Sequence, residues 1–314
     1  MKAVVIRRYG PAEVLQYEEV EQPKIKPDQL LVKIHASSVN PIDWKTRKGM
    51  LGLLTGYQFP KILGFDVVGE VVEVGSGVTR FKVGDAVYGS TNFPGGAYAE
   101  FAAIPENLLA LKPNNLSYQE AATVPLAALT ALQALRDLGN IQPGQAVLIN
   151  GASGGVGIFA VQIAKAIGAE VTGVSSTKNL DLVKSLGADR VIDYKQQDFA
   201  KDTAQYDIIF DAVGLRSLLD TKKVLKPNGI YITTLPSPKV VVESVLTSFL
   251  PGQKAKFVFE KPNSQDLNYL KDLIEAGKIR TVIDRTFPLQ ELAAAHTYSE
   301  TGRAAGKIAI AIAS

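Results

Sequence analysis

The chain has no cysteine among its 314 residues, and only two histidines and one tryptophan. The missing thiol excludes disulfides, thiol nucleophiles and thiolate metal sites together. His35 and His296 fall on a predicted strand and a predicted helix, where a structural role outweighs metal ligation. Excess charge is also lacking: 34 basic against 31 acidic residues give +3, with no dense Lys/Arg run, so nothing points to a nucleic-acid partner. No stretch is long and apolar enough to span a membrane. The N-terminal M-K-A-V-V-I-R-R-Y-G-P lacks a long apolar segment with a small-residue cleavage site, so no signal peptide is expected. These absences lead to the expectation of a soluble, cytoplasmic protein. Repeats, low-complexity tracts and flexible linkers are missing too.

What is present is a hydrophobic content of 46%, enough for sizeable cores, in a length that favours two domains. The first third reads as strands at 3–6, 30–34, 67–74 and 98–104, with G-S-G (75–77) and V-G-D (83–85) between them. From about residue 117 the period becomes helical. Strands at 146–149, 170–174, 190–192, 207–211 and 229–233 then alternate with helices at 154–167, 180–186 and 217–224. Such alternation implies βαβ units around a parallel sheet. A helix at 289–299 and a strand at 307–312 close the chain.

The stretch V-L-I-N-G-A-S-G-G-V-G-I-F-A-V-Q-I-A-K (147–165) places four glycines between a β-branched run and a helical one. Ala152-Ser153-Gly154-Gly155-Val156-Gly157 is A-x-G-x-x-G, departing from the dinucleotide fingerprint at its first glycine. The preceding strand and following helix supply the context that fingerprint needs. Gly154 and Gly155 would admit a pyrophosphate at the helix N-terminus, and Gly157 would allow close helix–strand packing. The alternative is a glycine-lined contact without a ligand. At the end of the second strand, where NAD enzymes commonly carry an acid for the ribose, stands G-V-S-S-T-K-N (173–179). Ser175, Ser176 and Lys178 would attract a 2′-phosphate that a carboxylate would repel, so NADPH is favoured. A simple helix cap is the competing reading of Ser-Ser-Thr.

Six segments, S-V-N-P-I-D-W-K-T-R-K-G (38–49), I-L-G-F-D-V-V-G-E-V-V-E-V-G (62–75), F-K-V-G-D-A-V-Y-G (81–89), G-G-A-Y-A-E-F (95–101), L-G-A-D-R-V-I-D-Y (186–194) and G-R-A-A-G-K-I (302–308), together with the glycine loop, resemble the medium-chain dehydrogenase/reductase superfamily. The likeness runs over essentially the whole chain, and its zinc-free quinone oxidoreductase and alkenal/enone reductase branch is the most similar. It implies an α/β fold: a doubly wound Rossmann domain (123–281) beside a strand-rich GroES-like catalytic domain (1–122, completed by 282–314). NADPH would lie in the cleft between them.

The resemblance also implies roles for single residues. Zinc alcohol dehydrogenases of the superfamily place Cys, His and Cys where Asn40, Phe65 and, approximately, Leu126 stand here. None of the three replacements is a usable ligand, and the interval from Asp85 to Gly95 is too short for the structural zinc lobe, so no metal is expected. Lys45 corresponds to a lysine near the nicotinamide ribose. Asn40 and Asp43 share its segment and are expected to shape the pocket floor, although D-W-K-T-R-K also reads as a solvated surface helix. Trp44 and the 56–59 stretch would supply aromatic walls or ordinary core. Thr130 matches a threonine near the cofactor, and Tyr194 a tyrosine beside the adenosine phosphate. Arg303 matches a basic residue there or is a plain surface arginine. Ser153, Val156, Val213 and Leu235 complete the expected cofactor contacts. The implied activity is hydride transfer from NADPH to small electrophiles, either enones and alkenals at C=C or quinones. Non-catalytic NADPH binding is the rival class. K-A-K-F-V-F-E (254–260) would serve as an edge strand for a homodimer.

Overall fold

The computed structural model describes residues 1–312, so the last two positions of the predicted 282–314 segment lie outside the described residues. The chain divides into two units: residues 1–127, 262–275 and 281–314, and residues 128–261 with 276–280.

The first unit is built around the eleven-residue strand Gln29–Val39, whose Leu30, Val32 and Ile34 are fully buried. Its N-terminal half pairs with Phe101–Pro105, and it runs antiparallel to Asp66–Val74. Its C-terminal end pairs antiparallel with Lys307–Ala311, Ile308 facing Val39. That register brings Lys307 to the start of the Pro41–Arg47 helix, more than 260 residues away in sequence. Ile283–Pro288, Ala86–Ser90 and Leu109–Leu111 complete a seven-stranded sheet, and a separate three-stranded sheet joins Gln16–Glu19, Lys2–Ile6 and Lys61–Ile62.

The second unit holds six parallel strands. Numbered one to six along this unit, Ala146–Asn150, Glu170–Ser175, Arg190–Asp193, Tyr206–Asp211, Leu225–Thr233 and Lys254–Phe257 are ordered 3-2-1-4-5-6. This is the doubly wound order that binds nucleotides at the carboxyl ends of its strands. Its core gathers Leu148, Val174, Ile209 and Tyr231.

Four differences from the sequence reading have local causes. The predicted helix at 217–224 shrinks to the single turn Leu218–Thr221, because the next strand already begins at Leu225. The predicted strand at 98–104 starts only at Phe101, since Tyr98 turns its side chain into the core and its hydroxyl toward Asp43. Pro238–Phe249 is a helix to which the sequence reading assigned no element. Its V-V-V run favours strand, but Ser237 caps the N-terminus and Pro238 occupies the first turn. The helix Ser264–Glu275 falls in the predicted Rossmann range yet packs in the strand-rich unit, where its Leu267 carbonyl accepts from the Tyr88 hydroxyl at 2.6 Å.

Candidate functional site

In the strand-rich unit the Pro41–Arg47 helix starts from a capping box. Asn40 is the N-cap, and Asp43 at the third helical position accepts from the Asn40 N–H at 2.7 Å. Neither is a surface group: Asn40 is 2% exposed and Asp43 0%. The Asn40 amide is used on both sides, its Nδ2 donating to Asp66 Oδ2 at 2.7 Å and its Oδ1 accepting from Lys307 Nζ at 2.5 Å. Asp66 also accepts from Ser38 Oγ at 2.5 Å and from the Leu126 N–H at 2.8 Å. Positions 40 and 126 therefore converge on one buried carboxylate, that of the residue following Phe65, balanced by one buried ammonium. Burial pushes the Lys307 pKa down, while Asp66 and Asp43 pull it up.

On the inner face of the same helix, Asp43 Oδ2 accepts from Tyr98 Oη at 2.9 Å, and Asp43 Oδ1 has no partner among the described residues. Burial raises its pKa to about 7, with the Asp66 charge adding to the rise. His296 lies 3.4 Å from both Tyr98 Oη and the Arg47 guanidinium, and Arg47 reaches Glu300 at 2.5 Å. Burial first, then Arg47, lowers the His296 pKa to about 3, which leaves it a neutral packing group. His35 stacks on Tyr118 at 4.3 Å between centroids. Among the described residues no cluster of three His, Cys, Asp or Glu side chains is arranged to hold a metal ion.

The outer side of this helix carries Trp44 and Lys45, both half-buried. The Lys45 ammonium lies 5.5 Å from the Trp44 ring centroid, and burial lowers its pKa. The helix is thus no free surface element: its inner face is locked by Asp43, Thr46 and Arg47. Phe65 pairs with Phe93 at 5.8 Å, while Tyr57 is exposed and packs edge-on against Tyr9.

In the second unit, Gly154 is the N-cap of the thirteen-residue helix Gly155–Ile167, which also carries Val156 and Gly157 in its first turn. A Cβ on Gly157 would lie 2.0 Å from the Gly151 carbonyl oxygen, so only glycine permits this helix–turn contact. A Cβ on Gly154 would meet nothing nearer than that oxygen at 3.3 Å, which leaves open space beside the loop. The first-turn N–H groups of such a helix have no intrahelical acceptors and suit a pyrophosphate. The cradle fits a dinucleotide.

Around it, Ser153 Oγ accepts from Asn179 Nδ2 at 3.1 Å, tying the glycine turn to the 175–179 loop. Ser175 and Ser176 are buried, Lys178 is exposed, and Tyr194 is 59% exposed. Val213 packs beside the glycine turn, and Leu235 packs against Gly214. Both follow carboxyl ends of the central strands, where Asp211 accepts from the N–H groups of Val213 and Gly214. Thr130 is 6% exposed on the Pro125–Gln133 helix, and Arg303 is an exposed residue of the other unit. Sequence reasoning missed Asp66, Lys307 and Asp193. The available signals were a carboxylate directly after position 65 and a lysine opening an apolar strand.

Two family profiles match the chain, a zinc-binding dehydrogenase domain over 186–310 and an alcohol dehydrogenase GroES-like domain over 26–114. The chain is 38% identical to 2-methylene-furan-3-one reductase of Solanum lycopersicum, over 99% of this chain and 79% of that one. It is 37% identical to the chloroplastic NADPH-dependent alkenal/one oxidoreductase of Arabidopsis thaliana, with the same coverages of 99% and 79%. The quinone oxidoreductase of Coxiella burnetii superposes with a TM-score of 0.90 at 34% identity, covering 100% of this chain and 99% of that one. A chloroplastic relative lends no support to the cytoplasmic expectation, and among the described residues no helix is long and apolar enough to cross a membrane. Sequence, fold order and these likenesses agree: the chain belongs to the medium-chain dehydrogenase/reductase superfamily, among its quinone and alkenal/enone oxidoreductases, and is an oxidoreductase.

Proposed function

We propose that this protein is an NADPH-dependent oxidoreductase that adds hydride to the C=C bond of α,β-unsaturated carbonyls and also reduces quinones. The observation that carries the reading is the chemistry at positions 40, 65 and 126. The Asn40 amide is consumed by Asp66 and Lys307, and Phe65 and Leu126 offer no side-chain lone pair. These residues provide no Lewis acid for an isolated carbonyl, whose reduction to an alkoxide draws several kcal/mol from one. Hydride at the β-carbon of an enone instead gives a delocalised enolate that modest hydrogen bonding supports. A quinone gains aromaticity and needs as little help.

Bound at the glycine cradle, NADPH supplies the hydride. Lys45 orients the nicotinamide ribose, and Asn40 and Asp43 hold the Lys45 helix from behind. Thr130, Ser153, Val156, Val213 and Leu235 line the dinucleotide, Ser175 and Ser176 close the strand end beneath its ribose, and Lys178, Tyr194 and Arg303 favour its 2′-phosphate. The chain's contribution to rate is proximity and orientation. The names of the tomato and Arabidopsis relatives support the C=C reading, and that of the Coxiella protein supports the quinone reading.

Product analysis tests the assignment. With an alkenal and NADPH the expected product is the saturated aldehyde. An allylic alcohol would refute the proposal, and turnover confined to quinones would make the protein a dedicated quinone reductase.

The same proposal includes a homodimer. The strand Lys254–Phe257 pairs only with Leu225–Thr233 among the described residues, and the adjoining helix exposes Val242, Val245, Leu246 and Phe249. An open edge beside an apolar face favours a second copy.

A further inference from the structure

The carboxyl end of the parallel sheet carries an acid that any NADPH reading must accommodate. Asp193 ends its strand directly opposite Ser175, in the register Ser175 to Asp193. The end of the Ser175 strand is where a dinucleotide fold meets the adenosine ribose. A carboxylate free to turn there would accept from a ribose 2′-hydroxyl and repel a 2′-phosphate. The sequence reading found no acid at the end of the second strand, but the third strand delivers one beside it.

Asp193 is not free to turn. Its Oδ2 accepts from the Thr177 hydroxyl at 2.5 Å, and its Oδ1 accepts from the Lys195 N–H at 3.0 Å. The residue is 9% exposed. The Tyr194 N–H donates to the Ser175 carbonyl at 3.1 Å, so the loop holding the acid is itself fastened to the second strand. Thr177 sits between Ser176 and Lys178, and Asn179 fastens the same loop to Ser153.

We propose that Thr177 is a positioning residue for cofactor choice. Its hydroxyl occupies the Asp193 carboxylate and turns it into the loop, leaving the exposed Lys178 and Tyr194 to present the surface that a 2′-phosphate meets. The inference rests on the NADPH reading above and adds to it the device that neutralises the acid as a competing ribose ligand. The hydrogen bond from Thr177 also holds the Asp193 carboxyl below its ordinary range, so the group restrained here is an anion at neutral pH.

The test is calorimetric binding of 2′,5′-ADP and of 5′-AMP, which differ only in the 2′-phosphate, to the full chain, independent of turnover. In Thr177→Val the ratio of the two affinities should fall about tenfold in favour of 5′-AMP, the scale of one charge-assisted hydrogen bond changing partner. Thr177→Ser should keep the wild-type ratio, and Asp193→Asn added to Thr177→Val should restore it. A merely structural role would weaken both nucleotides together. A ratio in Thr177→Val within twofold of wild type, or one that Asp193→Asn does not restore, overturns the proposal. The wild-type ratio tests the NADPH reading separately: a value near one would end that reading, while the shift in Thr177→Val still decides the tether.

Discussion

The Lys307 ammonium lies 3.5 Å from the Asp66 carboxylate, with Lys307 3% exposed and Asp66 0%. The pair joins the last strand to the start of the Asp66–Val74 strand, and the Asn40 amide bridges the two charges. Removing one partner strands the other charge in the core. Lys307→Met is expected to destabilise the fold by roughly 3–5 kcal/mol. Asp66→Asn combined with Lys307→Met should cost much less than the two single changes summed. Urea denaturation of the four proteins measures the coupling, and simple additivity would contradict a buried pair.

The Asp43 and His296 environments give stability two opposed pH dependences. Asp43 moves from an ordinary 3.8 to about 7, so the folded state binds more protons than the unfolded one across that window. Its contribution to stability therefore falls as pH rises from about 4 to 7. His296 moves from 6.5 to about 3, so the unfolded state binds more protons there, and its contribution is lost as pH falls. Relative to wild type, Asp43→Asn should make stability drop more steeply on acidification from pH 6.5 to 4. His296→Phe should change the slope in the other direction. Identical slopes in all three proteins would show that neither group is shifted.

Lys45→Ala should lower kcat/KM for an alkenal and for a quinone alike, by about ten- to a hundredfold for one lost charge-assisted contact. Affinity for 2′,5′-ADP should stay unchanged, because that fragment lacks the nicotinamide ribose. A loss restricted to one acceptor class would make Lys45 a substrate-binding residue instead.

Asn, Phe and Leu at positions 40, 65 and 126 lead to an expectation about metal. Elemental analysis of active enzyme should find no stoichiometric zinc, and chelator treatment should leave turnover intact. Zinc lost in step with activity would end the proposed mechanism.

Val245→Asp, on the exposed face of the Pro238–Phe249 helix, should convert a dimer to a monomer in sedimentation equilibrium without unfolding the chain. A wild-type monomer at micromolar concentration would remove the homodimer from the proposal.

Where one stretch of chain carries its own instruction, the sequence was enough. The glycine turn, the helix after it and the alternation of strand and helix follow from local periodicity and from the close approach that a missing side chain allows at Gly157. Family likeness in the ordered motifs reached further, to the superfamily and its pairing of a Rossmann with a GroES-like domain. Tertiary structure decided what the long-range pairings control. Lys307 meets Asn40 only because Ile308 faces Val39 across two strands, and Asp193 meets Thr177 only because two parallel strands align Ser175 with it. Strand register is set by packing over the whole sheet, and no window of sequence encodes it. The same holds for Asn40 and Asp43: family likeness of their segment suggested a pocket floor, and the tertiary structure buries both as the capping box of the helix that bears Lys45.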